Sequence, residues 1–400
     1  MRSHTVRDLR NGNRARVLRF MLQNGRTTRA EIARNCHLSV ATAGTVTADL
    51  LAEGLVTETG TIPSDGGRPV AELCPVPDSA FVMGADIGEA GVTVELFDLT
   101  LRRRDRAFIE VAESQSTPAN VSAALSAAVE LLHERNSFAD SSLLGIGLGL
   151  PGVVEIAADG TETVFAQSMG WLGTSVRDLL PDAKVTVHAE NGANTLALAE
   201  MWLGAARGVE HGVVVLVGRG LGAGIISAGR TFRGSSGGAG EWGHTKISSG
   251  GPQCRCGRRG CLEAYIGGDA LVRSWLATGA TAPTPYGEAL EALLSRADEG
   301  DGPARRIADE AVELLSLGLS NLVNLLNPER VVVGGWAGLS LLAARGAQIT
   351  ERVRLECLDR PGEQVSLVPS HLGGDGVALG AALLPLELLI EGPRRVGAPV

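Results

Sequence analysis

Three of the six cysteines crowd into eight residues, Cys254-Arg-Cys256-Gly-Arg-Arg-Gly-Cys261, and glycines at 250, 251, 257 and 260 let the backbone fold the sulfurs toward one point. Thiolates that close repel one another unless a cation sits among them. Zinc takes four tetrahedral ligands, and His244, ten residues upstream in Gly-Glu-Trp-Gly-His, is the obvious fourth beside Cys254, Cys256 and Cys261. Such a set leaves no open coordination position, so the metal is expected to be structural, pinning a glycine-rich loop and holding its neighbours Glu241 and Glu263 in place. Three buried free thiols are the plainer alternative. Cys36, Cys74 and Cys357 stand apart, and a cytosolic chain does not ordinarily use such cysteines as disulfides.

A second chemistry is electrostatic. The net charge of −9 hides an asymmetry: residues 1–47 carry nine arginines against Asp8 and Glu31, a balance of +7, so the other 353 residues sum to −16. A small basic head on a large acidic body confines any nucleic-acid contact to the head, because phosphates repel the rest. An ordinary solvated helix pair is the rival reading, and pattern decides between them. Val17, Leu18, Met21 and Leu22 recur at helical spacing before Asn24-Gly25, Thr28 can cap a second helix, and Ser39 a third. On that third helix Ala43, Val46, Leu50 and Leu51 should face inward and Thr42, Thr45 and Thr47 outward. Leu55–Glu58 and Val70–Leu73 read as strands around a loop carrying Arg68, so the head is expected to be a winged helix-turn-helix. Its candidate DNA contacts are Arg14, Arg16 and Arg29 for phosphates, Ser39, Thr42, Thr45 and Thr47 on the recognition helix, and Arg68 in a minor groove.

The elements behind the cysteine loop are of another kind. After a proline-stiffened linker at 75–80, Phe81–Asp86, Val92–Leu96, Phe108–Val111, Leu143–Leu150, Val185–His188, Gly212–Val217 and Arg330–Val333 have strand character. Ala119–Arg135 and Ala304–Leu326 read as helices, and no exact internal repeat shows. The expected division is a head at 1–74, a first α/β lobe at 81–190, a second lobe with the zinc loop at 191–390 and a tail at 391–400. Apolar residues make up 44% and charged residues 20%, a globular composition. Charge-free apolar stretches such as Leu143–Val154 fall short of the roughly 18 residues a membrane span needs, and the first twenty residues lack a signal-peptide pattern. The expected setting is the cytoplasm, away from any membrane.

The body resembles the ROK family of bacterial sugar kinases and sugar-responsive repressors, and the winged head matches its repressor branch. The resemblance rests on Gly149-Leu-Pro-Gly152, Ala189-Glu-Asn-Gly-Ala-Asn194, Gly218-Arg-Gly-Leu-Gly-Ala-Gly224, Gly238-Ala-Gly-Glu-Trp-Gly-His244, the cysteine cluster through Glu263, and Pro328-x-x-Val-Val-Val-Gly-Gly335. It implies two actin-like, sugar-kinase-like α/β lobes around a sugar cleft, a structural zinc, and a homodimer or homotetramer. It also implies that Asn191, Glu241, His244 and Glu263 contact sugar hydroxyls. His244 would then serve two masters, one ring nitrogen on the metal and the other toward sugar.

Three departures from the kinase pattern stand out. The family's Asp-x-Gly-Gly-Thr phosphate turn is here Asp86-Ile-Gly-Glu-Ala90, its Gly-Thr-Gly loop is Gly218-Arg219-Gly220, and its catalytic aspartate is Gly192. Glycine accepts no proton, and losing a general base alone costs about 10²–10⁴ in rate. The expectation is therefore no catalytic residues and no kinase activity, but a sugar sensor driving a DNA-binding repressor on a palindromic operator. An active kinase with an appended head is the alternative. Gly192 with Arg219 further suggests a phosphorylated sugar as effector, unless Arg219 merely seals the disused nucleotide site.

Overall fold

The computed structural model describes residues 6–62, 69–88 and 90–391. The head opens with α1 (Val6–Asn24), a two-residue strand β1 (Thr27–Thr28), α2 (Arg29–Asn35) and α3 (Val40–Ala52). Thr28 caps α2 in a reciprocal box with Glu31, and Ser39 caps α3 by accepting from the Thr42 amide. Between the two helices His37 takes a left-handed φ of 54°, which turns the chain within four residues. Strands β2 (Val56–Ile62) and β3 (Val70–Pro75) pair antiparallel, and β1 adds to β3, so the wing is present. Arg68 lies outside the described residues.

The first lobe is a five-stranded sheet of β4 (Phe81–Ile87), β5 (Gly91–Asp98), β6 (Arg103–Glu110), β7 (Leu143–Leu150) and β11 (Val187–Asn191), ordered β11-β7-β4-β5-β6. Helix α4 (Pro118–Arg135) covers it, and β8 (Val153–Ile156), β9 (Glu162–Ala166) and β10 (Trp171–Ser175) form a separate antiparallel flap that ends in the short α5 (Val176–Leu179). Helix α6 (Gly192–Leu203) leads to the second sheet, built from β12 (Gly212–Val217), β13 (Leu221–Ser227), β14 (Arg230–Phe232), β15 (Arg330–Gly334) and β16 (Ser366–Pro369), ordered β14-β13-β12-β15-β16. Helices α7 (Glu263–Ile266), α8 (Gly268–Leu276), α9 (Tyr286–Asp298), α10 (Gly302–Leu326), α11 (Trp336–Glu356) and α12 (Asp359–Gln364) pack on its far side.

Both sheets have the same wiring: an antiparallel three-strand meander followed by two strands added in parallel beside the first. This duplication of topology carries no sequence repeat, because each half packs different neighbours.

The last helix, α13 (Gly376–Glu391), stands apart from the other helices of the second lobe. It packs on β4 and β7 of the first lobe as well as on α6. It also supplies most of the apolar stretch Gly373–Ile390, which is long and apolar enough to span a bilayer but lies mostly buried between protein surfaces. Glycines let it come close. A Cβ at Gly84 or Gly147 would collide with the α13 backbone at Ala378 or Ala381, and one at Gly380 with Thr195 of α6. The layer order is thus first sheet, α13, α6, second sheet.

Segment 75–80 is no free spacer. The Leu99 amide donates to Pro77, the Val76 amide to Leu55, and Ala80 is buried. Val17, Leu18 and Met21 of the head share one core with Phe97, Leu99, Trp202, Leu383 and Leu386 of the body.

Candidate metal centre and effector cleft

The second sheet delivers the metal loop. From β14 the chain reaches Glu241, turns through Trp242–His244 and folds the cysteine loop back so that Lys246 bridges Cys261 and Gln253 bridges Arg259. The donor atoms of His244, Cys254, Cys256 and Cys261 all lie within 4.8 Å of one another. The Cys254 sulfur is 3.7 Å from His244 Nδ1, and the Cys256 and Cys261 sulfurs are 3.8 Å apart. A tetrahedron with arms of about 2.3 Å, the zinc–sulfur bond, has edges of about 3.8 Å, so the donor set fits such an ion. Burial pushes the Cys254 thiol up and neighbouring Glu263 raises it further. Lys246 supports the other side: its ammonium donates to the Cys261 sulfur at 3.0 Å and to the Arg259 carbonyl at 2.6 Å, offsetting excess thiolate charge.

Glu241, His244 and Glu263 come together beside this loop. His244 points Nδ1 at the cysteines and holds Nε2 3.7 Å from Glu241, so its two ring nitrogens face different partners. Burial raises the Glu241 carboxyl, His244 opposes that rise and Glu263 adds to it. Glu263 is the most committed of the three. Its Oε2 accepts from the Leu221 amide at 3.1 Å, its Oε1 lies 3.4 Å from the Cys254 sulfur and 3.7 Å from Arg255, and only 7% of it is exposed. It braces the loop first.

Asn191 ends β11 in the opposite wall. Its Oδ1 caps the Ala193 amide at 2.8 Å and its Nδ2 donates to the Gly152 carbonyl at 2.7 Å, leaving one N–H and one lone pair for a ligand. Gly222 of β13 faces it, since a Cβ there would lie 4.0 Å from Oδ1. Arg233 closes this side, pairing with Glu190 at 2.7 Å and donating to the Val154 carbonyl at 2.8 Å, so a second-lobe side chain grips two first-lobe strands. Sequence reasoning misses both residues, because an Arg and a Glu so far apart along the chain give no local signal.

Gly192 opens α6. A Cβ there would touch Leu216, Leu150 and Val377 only at 3.7–3.8 Å, ordinary contact distance, and Gly192 is not among the glycines with left-handed φ. Neither space nor backbone conformation demands glycine. Arg219 is 7% exposed, with its guanidinium over Tyr286 at 5.6 Å and Nε 4.0 Å from Asp269. That burial suits an arginine that seals the site, one of the two roles expected for it. Glu89 lies outside the described residues.

On the head, the structure corrects the placement of Thr47. It is fully buried and donates to the Ala43 and Gly44 carbonyls, because the helical phase groups it with Ala43, Val46 and Leu50 on the inner face. The outward face runs instead through Ala41, Thr45 and Ala48, with Val40, 69% exposed, at its start. Sequence reasoning passes over Val40 and Ala48 because neither carries a polar group, although the phase marks both. Thr45 is exposed and Thr42 half-exposed. Ser39 is exposed but engaged with Thr42 through both its cap and a 2.8 Å hydroxyl contact. Arg14 donates to Glu53 at the end of α3 at 2.6 Å and to the Leu389 carbonyl of α13 at 3.4 Å, so it ties α1 to both the recognition helix and the body. Arg16 closes the end of α2 through the Cys36 carbonyl, and Arg29 pairs with Glu58 on the wing, both remaining near the surface.

A winged helix-turn-helix joined through a shared core to a duplicated, sugar-kinase-like α/β body defines the class. The chain belongs to the ROK family, which matches residues 82–387, and a winged helix-turn-helix DNA-binding family matches residues 10–57. It is 30% identical over 355 residues to the xylose repressor of Caldicellulosiruptor bescii, covering 84% of this chain and 86% of that protein. It is 34% identical over 262 residues to a glucokinase of Halalkalibacterium halodurans, a match covering 61% of this chain and 76% of that one. A solved ROK family transcriptional regulator, described as a homologue of the Escherichia coli MLC protein, superposes with a TM-score of 0.75 over 96% of this chain and 98% of its own at 22% identity, which supports the fold.

Proposed function

We propose that this chain is a sugar-responsive DNA-binding transcriptional regulator, a repressor of carbohydrate-utilisation genes that works in the cytoplasm without phosphoryl transfer. The observation that carries the reading is Gly192: the position that would supply a general base holds no proton acceptor, although space and backbone would admit a side chain. A match to a xylose repressor of Bacillus spizizenii that covers 95% of this chain, and so most of the head, supports it, as does the buried Arg219.

In this reading Glu241 and the Nε2 edge of His244 offer the freest polar groups to sugar hydroxyls, with Asn191 opposite and Glu263 bracing from behind. Zinc, held by His244, Cys254, Cys256 and Cys261, supplies no reaction; it fixes the loop that carries the first two. DNA contacts fall to Arg16 and Arg29 for phosphates and to Ser39, Thr42, Thr45 and the wing's Arg68 for the grooves. Two heads on a palindromic operator require a homodimer or homotetramer.

A thermal-shift screen of free and phosphorylated sugars, run beside an assay of sugar-dependent ATP hydrolysis, tests the reading. One sugar should stabilise the chain by about 2.7 kcal/mol at a hundredfold excess over its Kd, with no hydrolysis above background. Sugar-dependent hydrolysis would instead make it a kinase with an appended head.

A further inference from the structure

Two helices run from the floor of the cleft to the head, and both meet there at one carboxylate. Helix α6 begins at the Asn191–Gly192 floor and carries Trp202 in its last turn. Helix α13 begins at Gly376–Val377, where Val377 lines the same floor against Gly149 and Gly192, and carries Glu387 near its other end. The two pack backbone to backbone at Gly380 and Thr195, with no room between them for even a Cβ at position 380.

At their far ends Glu387 accepts the Trp202 indole N–H at 2.7 Å and both carboxylate oxygens accept from Arg19 Nη2 of α1 at 2.8 Å. The Arg19 guanidinium also lies over the Trp202 ring at 5.2 Å. Gln23 of the same head helix donates to the Trp202 carbonyl at 3.2 Å, and Arg207, just beyond α6, donates to Asn24 at 2.7 Å. The latch is charge-assisted: one carboxylate accepts from an indole and pairs with a guanidinium at once, in a setting where Glu387 is 15% exposed and Trp202 2%.

We propose that the Trp202–Glu387–Arg19 latch is the element through which sugar occupancy sets the orientation of the head, with Glu387 as a positioning residue. This rests on the regulatory reading above. A ligand that draws the two lobes together shifts the α6 and α13 floor, and the paired helices carry that shift as a rigid unit to the first helix of the head. Glutamine at 387 keeps an acceptor for the indole but loses the charge that holds Arg19.

The test compares the wild-type chain with Glu387→Gln and Arg19→Ala, using a duplex that the wild type has selected from a random-sequence pool and whichever of glucose, xylose, N-acetylglucosamine or their phosphates stabilises the body most. DNA affinity is measured with and without that sugar, and sugar affinity by calorimetry. The wild type should show a ratio of DNA affinities of at least about fivefold. Both variants should bind sugar within about threefold of wild type, melt as one cooperative unit, and bring the ratio close to one. Variants that stay folded and keep the wild-type ratio would overturn the latch alone. A wild type indifferent to every sugar would overturn the regulatory reading itself.

Discussion

The metal loop and the recognition helix are both short polar segments, yet they are unequally readable. In the loop, four candidate ligands within eighteen positions converge on a point less than 5 Å across. On α3 the same kind of reading places Thr47 outward, where the structure buries it. The difference lies in what each chemistry needs. Ligands need only proximity, which glycines and short spacing supply locally. DNA contacts need a face, and a face depends on a phase of about 100° per residue and on what else the helix touches.

Breaking the loop should have the largest effect. Cys254→Ser or Cys256→Ser is expected to lower bound zinc, measured by elemental analysis, from about one per chain by at least tenfold, and to abolish sugar-induced stabilisation because Glu241 and His244 lose their frame. Unchanged metal content would remove these residues from the ligand set. The opposite wall should be less costly. Asn191→Ala loses the α6 cap and the tie to Gly152, with an expected cost of about 1 kcal/mol in chemical denaturation and a weakened sugar response. A fully retained sugar response would confine Asn191 to capping.

The head sharpens the contrast through a pair of threonines. Thr47→Ala should destabilise the fold by about 1 kcal/mol and leave the folded protein's DNA affinity alone, whereas Thr45→Ala should do the reverse, costing about 1 kcal/mol of DNA binding or less. Equal behaviour of the two would place the α3 face wrongly. Arg29→Ala should weaken binding evenly across sequences and reduce the slope of log affinity against log salt by about one.

Much of the architecture is legible because periodicity reports burial. Leu143–Leu150 and Gly212–Val217 read at their observed bounds, since strands buried on both faces are nearly continuous in apolar residues. Thr28 and Ser39 declare themselves as caps for a similarly local reason. Helix α13 escapes because it is apolar on every side and shows no period, being enclosed between sheet and helix. Arg14 reads as a phosphate contact because its charge is visible while its partners, Glu53 and the Leu389 carbonyl, are distant in sequence. The doubled sheet topology is invisible, as wiring leaves no mark on residue order once the two halves face different neighbours.

The most direct measurement is a titration of the selected duplex with the wild-type chain at one stated salt concentration, with and without the stabilising sugar. The account predicts that sugar moves the DNA dissociation constant by at least about fivefold, up or down. A sugar that stabilises the body while leaving that constant unchanged would contradict it.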